Sequence, residues 1–128
     1  MPHILVVDDQ KDVRAMIAIL LRVHHFEIVE AATTAEALTA FESSFFDVAI
    51  VDFFLQGKSG LDLIMDLRSR APDQPVVAIS GMTTLDFVTD VPELSNVVCL
   101  HKPFRPVQLM QAIETARFGA RHVKKGGT

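Results

Sequence analysis

The sequence predicts an α/β fold in which a parallel sheet is covered by helices on both faces, and three observations carry that prediction. Four short apolar runs rich in β-branched residues recur along the chain, at 4–7, 48–51, 76–79 and 97–100. They are too short for helices and apolar throughout, as strands buried on both faces of a parallel sheet are. Between them lie segments whose apolar residues recur at helical spacing. The order is βαβαβαβαβα over 128 residues, without repeats, low-complexity stretches or an interdomain linker. A doubly wound domain with right-handed crossovers is expected over 1–119, followed by a short basic tail at 120–128.

Each element has its own signal. After the first strand, Val13, Met16, Ile17, Leu20 and Leu21 fall on one helical stripe. His24 and His25 end that helix, where the dipole favours imidazolium, and no further ligands accompany them to make a metal site. The run 26–31 mixes Glu27 and Glu30 with Ile28 and Val29, so it is expected at a sheet edge. Thr33 and Glu36 have the spacing of a capping box and open a helix with Leu38, Phe41 and Phe45 on one stripe. Ser59 or Gly60 starts a third helix carrying Leu61, Ile64, Met65 and Leu67. The Ala71-Pro72 dipeptide closes it, because proline disfavours helix at the residue before it.

The segment 82–92 holds Thr83, Thr84, Val88, Thr89 and Val91, which are poor helix formers, and a short or irregular helix is expected there. The last helix is expected over 105–118. Pro106 sits in its first turn, where a missing N–H is harmless, and Gly119 lies just past its end. Leu109, Met110, Ile113 and Ala116 form its buried stripe.

Composition narrows the function classes. With 12 Lys+Arg against 16 Asp+Glu the formal net charge is −4, which argues against general nucleic-acid binding. The one basic cluster, Arg117, Arg121, Lys124 and Lys125, sits near the C-terminal end and reads as a solvated tail. Hydrophobic residues make up 49% of the chain, but no run approaches the ~20 residues that span a bilayer. Cys99 is alone, so neither a disulfide framework nor a cysteine zinc site can be built. The N-terminus lacks the features of a secretory signal, and a cytoplasmic protein is expected.

Polar residues stand at the carboxyl ends of four of the five predicted strands: Asp8 and Asp9, Asp52, Ser80, and Lys102. In open α/β sheets that edge is where ligands bind. Singly each has a plain explanation, as a helix N-cap, a turn hydroxyl or a surface charge. Together they describe a site. Three carboxylates repel one another unless a cation or proton compensates, and an all-oxygen donor set suits Mg²⁺. With the metal and Lys102 neutralising phosphoryl oxygens, Ser80 donating a hydrogen bond and Asp52 attacking, the set suits phosphoryl transfer.

Val6-Val7-Asp8-Asp9, Val51-Asp52 with Gly60 eight residues on, Ile79-Ser80-Gly81 and Lys102-Pro103-Phe104 together resemble the receiver domain of two-component response regulators. The resemblance covers essentially the whole chain in order and spacing. It implies the flavodoxin-like (βα)5 fold, a five-stranded sheet in the order 2-1-3-4-5. It also implies that Asp52 accepts a phosphoryl group from a phosphohistidine on a sensor histidine kinase or phosphotransfer protein. Asp9 and Asp52 would bind Mg²⁺ directly, Asp8 through water, and the backbone carbonyl of Phe54 would complete the protein ligands. Lys102 would pair with the phosphoryl group and Ser80 would move toward it. The output would pass to a downstream protein target, with no nucleic acid or membrane contacted. A second copy of the chain could pair through the 82–100 face, where Met82, Leu85, Phe87, Val88 and Val91 concentrate apolar mass.

Several positions depart from the family's commonest pattern. Gln56 stands where a proline is frequent. Phe54 and Met82 occupy the positions flanking the site, where polar side chains can orient a hydrolytic water, so slow self-dephosphorylation is expected. Cys99 replaces an aromatic residue whose rotamer follows Ser80, and it reads as a small buried residue. His101 reads as a surface residue.

Three other functions compete. A receiver that signals without phosphorylation would keep the fold but has no need of the intact Asp8, Asp9, Asp52, Ser80 and Lys102 set. A hydrolase with an aspartyl-phosphate intermediate commonly places a second Asp two residues after the nucleophile, and Phe54 stands there. A dinucleotide-binding module fails because Asp-Asp-Gln-Lys-Asp after the first strand offers no glycine. The expectation is therefore a single-domain response regulator, not an enzyme in the ordinary sense.

Overall fold

The structure is a computed structural model and describes residues 2–55, 58–81 and 97–126. In chain order its elements are β1 (His3–Val7), α1 (Lys11–Val23), β2 (Glu27–Ala31), α2 (Thr34–Ser43), β3 (Val48–Asp52), the two-residue β4 (Phe54–Leu55) and β5 (Lys58–Ser59), α3 (Gly60–Arg70), β6 (Val76–Ser80), β7 (Val98–His101) and α4 (Pro106–Gly126). Five of the strands form one sheet in the order β2-β1-β3-β6-β7, all parallel. This is the expected 2-1-3-4-5 order once the small antiparallel pair β4-β5 is counted apart.

Alternation along the strands builds two cores. Leu5 and Val7, Ala49 and Val51, Val76 and Ala78 face α2 and α3 with Ala37, Phe46, Leu63, Ile64 and Leu67. Ile4 and Val6, Val48 and Ile50, Val77 and Ile79 face α1 and α4 with Ile17, Leu21, Leu109 and Ile113. Every residue of β1 after His3, and all of β3 and β6, is buried, which is why those runs are apolar without alternation. A fully buried Val or Leu side chain stabilises by about 1.5–3 kcal/mol, so the two cores are the main favourable term. They hold the carboxyl ends of β1, β3 and β6 side by side.

The local signals act as their chemistry dictates. Thr33 Oγ1 accepts from the Glu36 N–H at 3.1 Å, and the Glu36 carboxylate accepts from the Ala32 N–H at 2.7 Å. Ser59 Oγ caps α3 by accepting from the Leu61 N–H. The Ala71 N–H still donates to Leu67 O, and the helix goes no further toward Pro72. Glu27–Ala31 is an edge strand, as its two glutamates require.

Some expectations are corrected. The final helix does not stop at 118 but runs through Gly119 to Gly126, so part of the basic tail is helical. A lone glycine costs a helix about 1 kcal/mol, which the good helix formers on either side outweigh. Phe45 lies beyond the end of α2 and is 78% exposed; Phe46 is the buried aromatic, stacked near Phe41 and His3. Met16 is exposed and Met65 borders on it, because the stripes of α1 and α3 centre on Ile17, Ala18 and Leu21 and on Leu63, Ile64 and Leu67. β7 is the second edge of the sheet, not a strand buried on both faces, and it leaves Cys99 and His101 exposed. The expected helix at 82–92, its apolar residues, most of the proposed 82–100 pairing face and Gln56 lie outside the described residues.

Candidate phosphoacceptor site

Strand ends and one short turn bring the polar residues together. β1 and β3 are neighbours, so Asp8, one residue past β1, comes beside Asp52 at the end of β3. Asp52 pairs in register with Ile79, and Ser80 follows at the end of β6. Ser80 in turn faces His101 across β6 and β7, and its carbonyl accepts from the Lys102 N–H at 2.8 Å. Every candidate residue therefore sits at one sheet edge, at the switch point where the strand order reverses.

Oxygens of Asp8, Asp9 and Asp52 lie within 4.8 Å of one another. Asp8 and Asp52 are buried, Asp9 is half-buried, and Ser80 is fully buried. Lys102 Nζ stands 3.2 Å from Asp52 Oδ2 and 3.5 Å from Asp8 Oδ2. The other carboxylate oxygens are held by backbone: Asp8 Oδ1 accepts from the Gln10 N–H at 2.8 Å, and Asp52 Oδ1 from the Phe54 N–H at 3.0 Å. Burial pushes the Asp8 carboxyl above the usual carboxylate range, against the Gln10 hydrogen bond, and the Asp52 charge adds to the rise.

The donor set fits a hard divalent cation. Among the described residues, Asp8 Oδ2 is the buried side-chain oxygen that accepts no hydrogen bond, and it lies in the carboxylate cluster. Lys102 reaches Asp8 and Asp52, and a divalent cation among the three clustered carboxylates would offset their mutual repulsion. Asp8, Asp9 and Asp52 present oxygens to a common centre, and Phe54 belongs to the same turn. Phe54 is itself half exposed at the rim.

Three further residues shape the site. Gly60 packs so closely that a Cβ there would meet Asp52 O at 2.0 Å, and its N–H donates to Phe53 O. The Phe53 N–H donates to Ile79 O at 2.7 Å, which pins the chain just past Asp52 to β6. Arg14, to which sequence reading gave no role, donates from Nη1 to Asp8 O at 2.7 Å and pairs through Nε with Glu30 at 3.2 Å. The available signal was a basic residue within the first turns of the helix that follows the acidic pair.

Comparison with known proteins agrees with this fold. The family model of the response regulator receiver domain matches residues 4–114. The regulatory protein VirG of Rhizobium rhizogenes is 30% identical over 118 residues, covering 91% of this chain and 48% of its own length. VanR of Enterococcus faecium is 29% identical over 112 residues, covering 87% of this chain and 48% of its own. The chain thus spans about half the length of these curated relatives. Among solved structures, a receiver domain protein of Clostridium thermocellum superposes with a TM-score of 0.85 at 26% identity, over 96% of this chain and 99% of that one. TrrA of Thermotoga maritima, solved with Mg²⁺ and BeF, gives 0.80 at 25% identity over 91% and 99%.

Proposed function

The chain belongs to the response regulator receiver family, and from that premise we propose that Asp52 accepts a phosphoryl group from a phosphohistidine on a sensor kinase or phosphotransfer protein. The observation that carries the reading is the Lys102 ammonium 3.2 Å from the Asp52 carboxylate inside a cluster of three acids. Attack by an Asp52 oxygen forms the C–O–P linkage as the N–P bond breaks, and the departing imidazole keeps the electron pair of that bond. Lys102 shifts from the carboxylates to the incoming phosphoryl oxygens, whose charge grows as the bonds exchange. Ser80, buried one strand away, offers its hydroxyl to the same group. Asp9, Asp52 and the Phe54 carbonyl would hold Mg²⁺, with Asp8 assisting through water, and the ion would add positive charge near the phosphoryl oxygens.

The protein is altered by each turn of this chemistry and is a switch rather than an enzyme in the ordinary sense. Phe54 at the rim carries no group able to orient a hydrolytic water, which supports a slow loss of the phosphoryl group. The modified form acts in the cytoplasm, through contacts with a downstream protein. Among the described residues no helix is long and apolar enough to cross a membrane.

Incubation with Mg²⁺ and acetyl phosphate, read by intact mass, tests the proposal. A phosphoryl adduct that requires Mg²⁺ and is absent from Asp52→Ala is expected. No adduct, with either acetyl phosphate or a phosphorylated kinase as donor, means a module that signals without phosphorylation.

A further inference from the structure

The geometry points to Arg14 as a positioning residue for the Asp8-Asp9 acidic pair, acting through the Asp8 carbonyl, with Glu30 holding it in place; this rests on the Mg²⁺-dependent phosphoacceptor reading above. Asp8 lies one residue past β1, and its N–H still bonds to Ala31 O of β2 at 3.1 Å. At its carbonyl the strand ladder has ended, and the partner is the Arg14 guanidinium, from which Nη1 donates at 2.7 Å. That carbonyl belongs to the peptide plane joining Asp8 to Asp9. Fixing it therefore places the Asp9 N and Cα, the point from which that side chain leaves the backbone.

Arg14 is itself well held. Its side chain is only 15% exposed, and its Nε lies 3.2 Å from Glu30 Oε1 on β2. The other Glu30 oxygen stands 3.7 Å from Arg22, whose side chain is 57% exposed and adds little. A planar guanidinium can donate to a carbonyl and a carboxylate at once in a fixed fork, which an ammonium cannot reproduce. The clamp thus ties the end of β1, the first turns of α1 and the edge strand β2 into one unit beneath the acidic pair. The groups that act on the Asp8 carboxylate are the Gln10 N–H, Asp52 and Lys102, while Arg14 bonds to its backbone, so the influence is geometric. Partners of this outer kind commonly set metal affinity by 10- to 100-fold.

The test is Mg²⁺ affinity by titration calorimetry on wild type, Arg14→Ala, Arg14→Lys, Glu30→Gln and the Arg14→Ala/Glu30→Gln double variant, with circular dichroism as a fold control. Arg14→Ala is expected to weaken Mg²⁺ binding about tenfold. The rate of phosphorylation by acetyl phosphate should fall at limiting Mg²⁺ and return to near wild type at saturation. Arg14→Lys should recover part of the affinity, Glu30→Gln should lose about threefold, and the double variant should bind no worse than Arg14→Ala. A merely structural role would lower the melting temperature without this Mg²⁺-reversible split. Arg14→Lys and Arg14→Ala both binding within twofold of wild type would overturn the proposal and leave the phosphoacceptor reading standing. Wild type that binds no Mg²⁺ would overturn both.

Discussion

Lys102 Nζ lies 3.2 Å from Asp52 Oδ2 and only slightly farther, 3.5 Å, from Asp8 Oδ2, so a single ammonium bridges carboxylates delivered by two neighbouring strands. The carboxylate oxygens are nearly inaccessible while Lys102 retains 22% of its side-chain exposure. Breaking such a pair leaves two like charges facing each other with little water to screen them.

Lys102→Met should therefore destabilise the metal-free protein by about 1–2 kcal/mol at pH 7, less than for a wholly buried pair because the lysine is partly solvated. In a double-mutant cycle, Lys102→Met should cost about 1 kcal/mol less once Asp52 is already Asn. Urea unfolding in a chelator measures both. Phosphorylation by acetyl phosphate should slow about a hundredfold in Lys102→Met, since a donor aimed at the developing charge is lost. Additive variants and an unchanged rate would show that the bridge carries neither stability nor chemistry.

Asp8 gives the protein a pH dependence whose sign follows from its burial. Its folded pKa stands above the ordinary 3.8, so the native state binds the proton more tightly than the unfolded chain. That contribution is fully present below 3.8 and is lost as pH rises through the folded value, so this carboxyl makes the metal-free protein less stable toward neutrality. Asp8→Asn keeps an acceptor for the Gln10 N–H and removes the charge. It should stabilise the metal-free protein at pH 7 by about 1 kcal/mol. Mg²⁺ at a hundred times its Kd should add about 2.7 kcal/mol to wild type and far less to the variant, reversing their order. Urea melts from pH 4 to pH 8, with and without Mg²⁺, check the slope and the reversal.

Much of this was legible in the sequence because the strands are buried on both faces. A run such as Val48-Ala49-Ile50-Val51 can be little else, and the acids and lysine that follow such runs must meet at one sheet edge once the sheet is parallel. Thr33 and Glu36 announced their helix by spacing alone. The misreadings lie where burial depends on a neighbour's angle. Phe45 and Phe46 are adjacent and chemically identical, and only the path of the chain out of α2 into β3 decides which is buried. Cys99 reads as apolar, yet the sheet ends at β7 and leaves it exposed. Arg14 carried only the weak signal of a basic residue soon after the acidic pair, because its partner is a backbone carbonyl that no residue type marks.

Gly119 reads as a helix terminator by residue type but sits inside α4. Among the described residues, a Cβ added there would meet the Thr115 methyl, at 3.3 Å, and Thr115 is exposed and can give way. Gly119→Ala should raise stability by about 0.5–1 kcal/mol through helix propensity. A thermal melt decides the sign. A drop would mean that α4 breaks at this residue in solution.

Gly60 makes the opposite case, because the atoms around it are backbone. It is the first residue of α3, its N–H donates to Phe53 O at 2.8 Å, and a Cβ would stand 2.0 Å from Asp52 O and 2.8 Å from Phe53 Cα. No rotamer change relieves such a clash, so α3 must shift away from the end of β3, the strand end that carries the proposed phosphoacceptor. Gly60→Ala should cost about 3 kcal/mol or more, at the upper end of overpacking. Whatever folds should also accept the phosphoryl group poorly, because Asp52 moves with its own carbonyl. Melting temperature and acetyl phosphate labelling, read on the same preparation, test the two effects together. A variant that melts within a degree of wild type and labels at its rate would show that β3 and α3 have more room between them than a glycine requires.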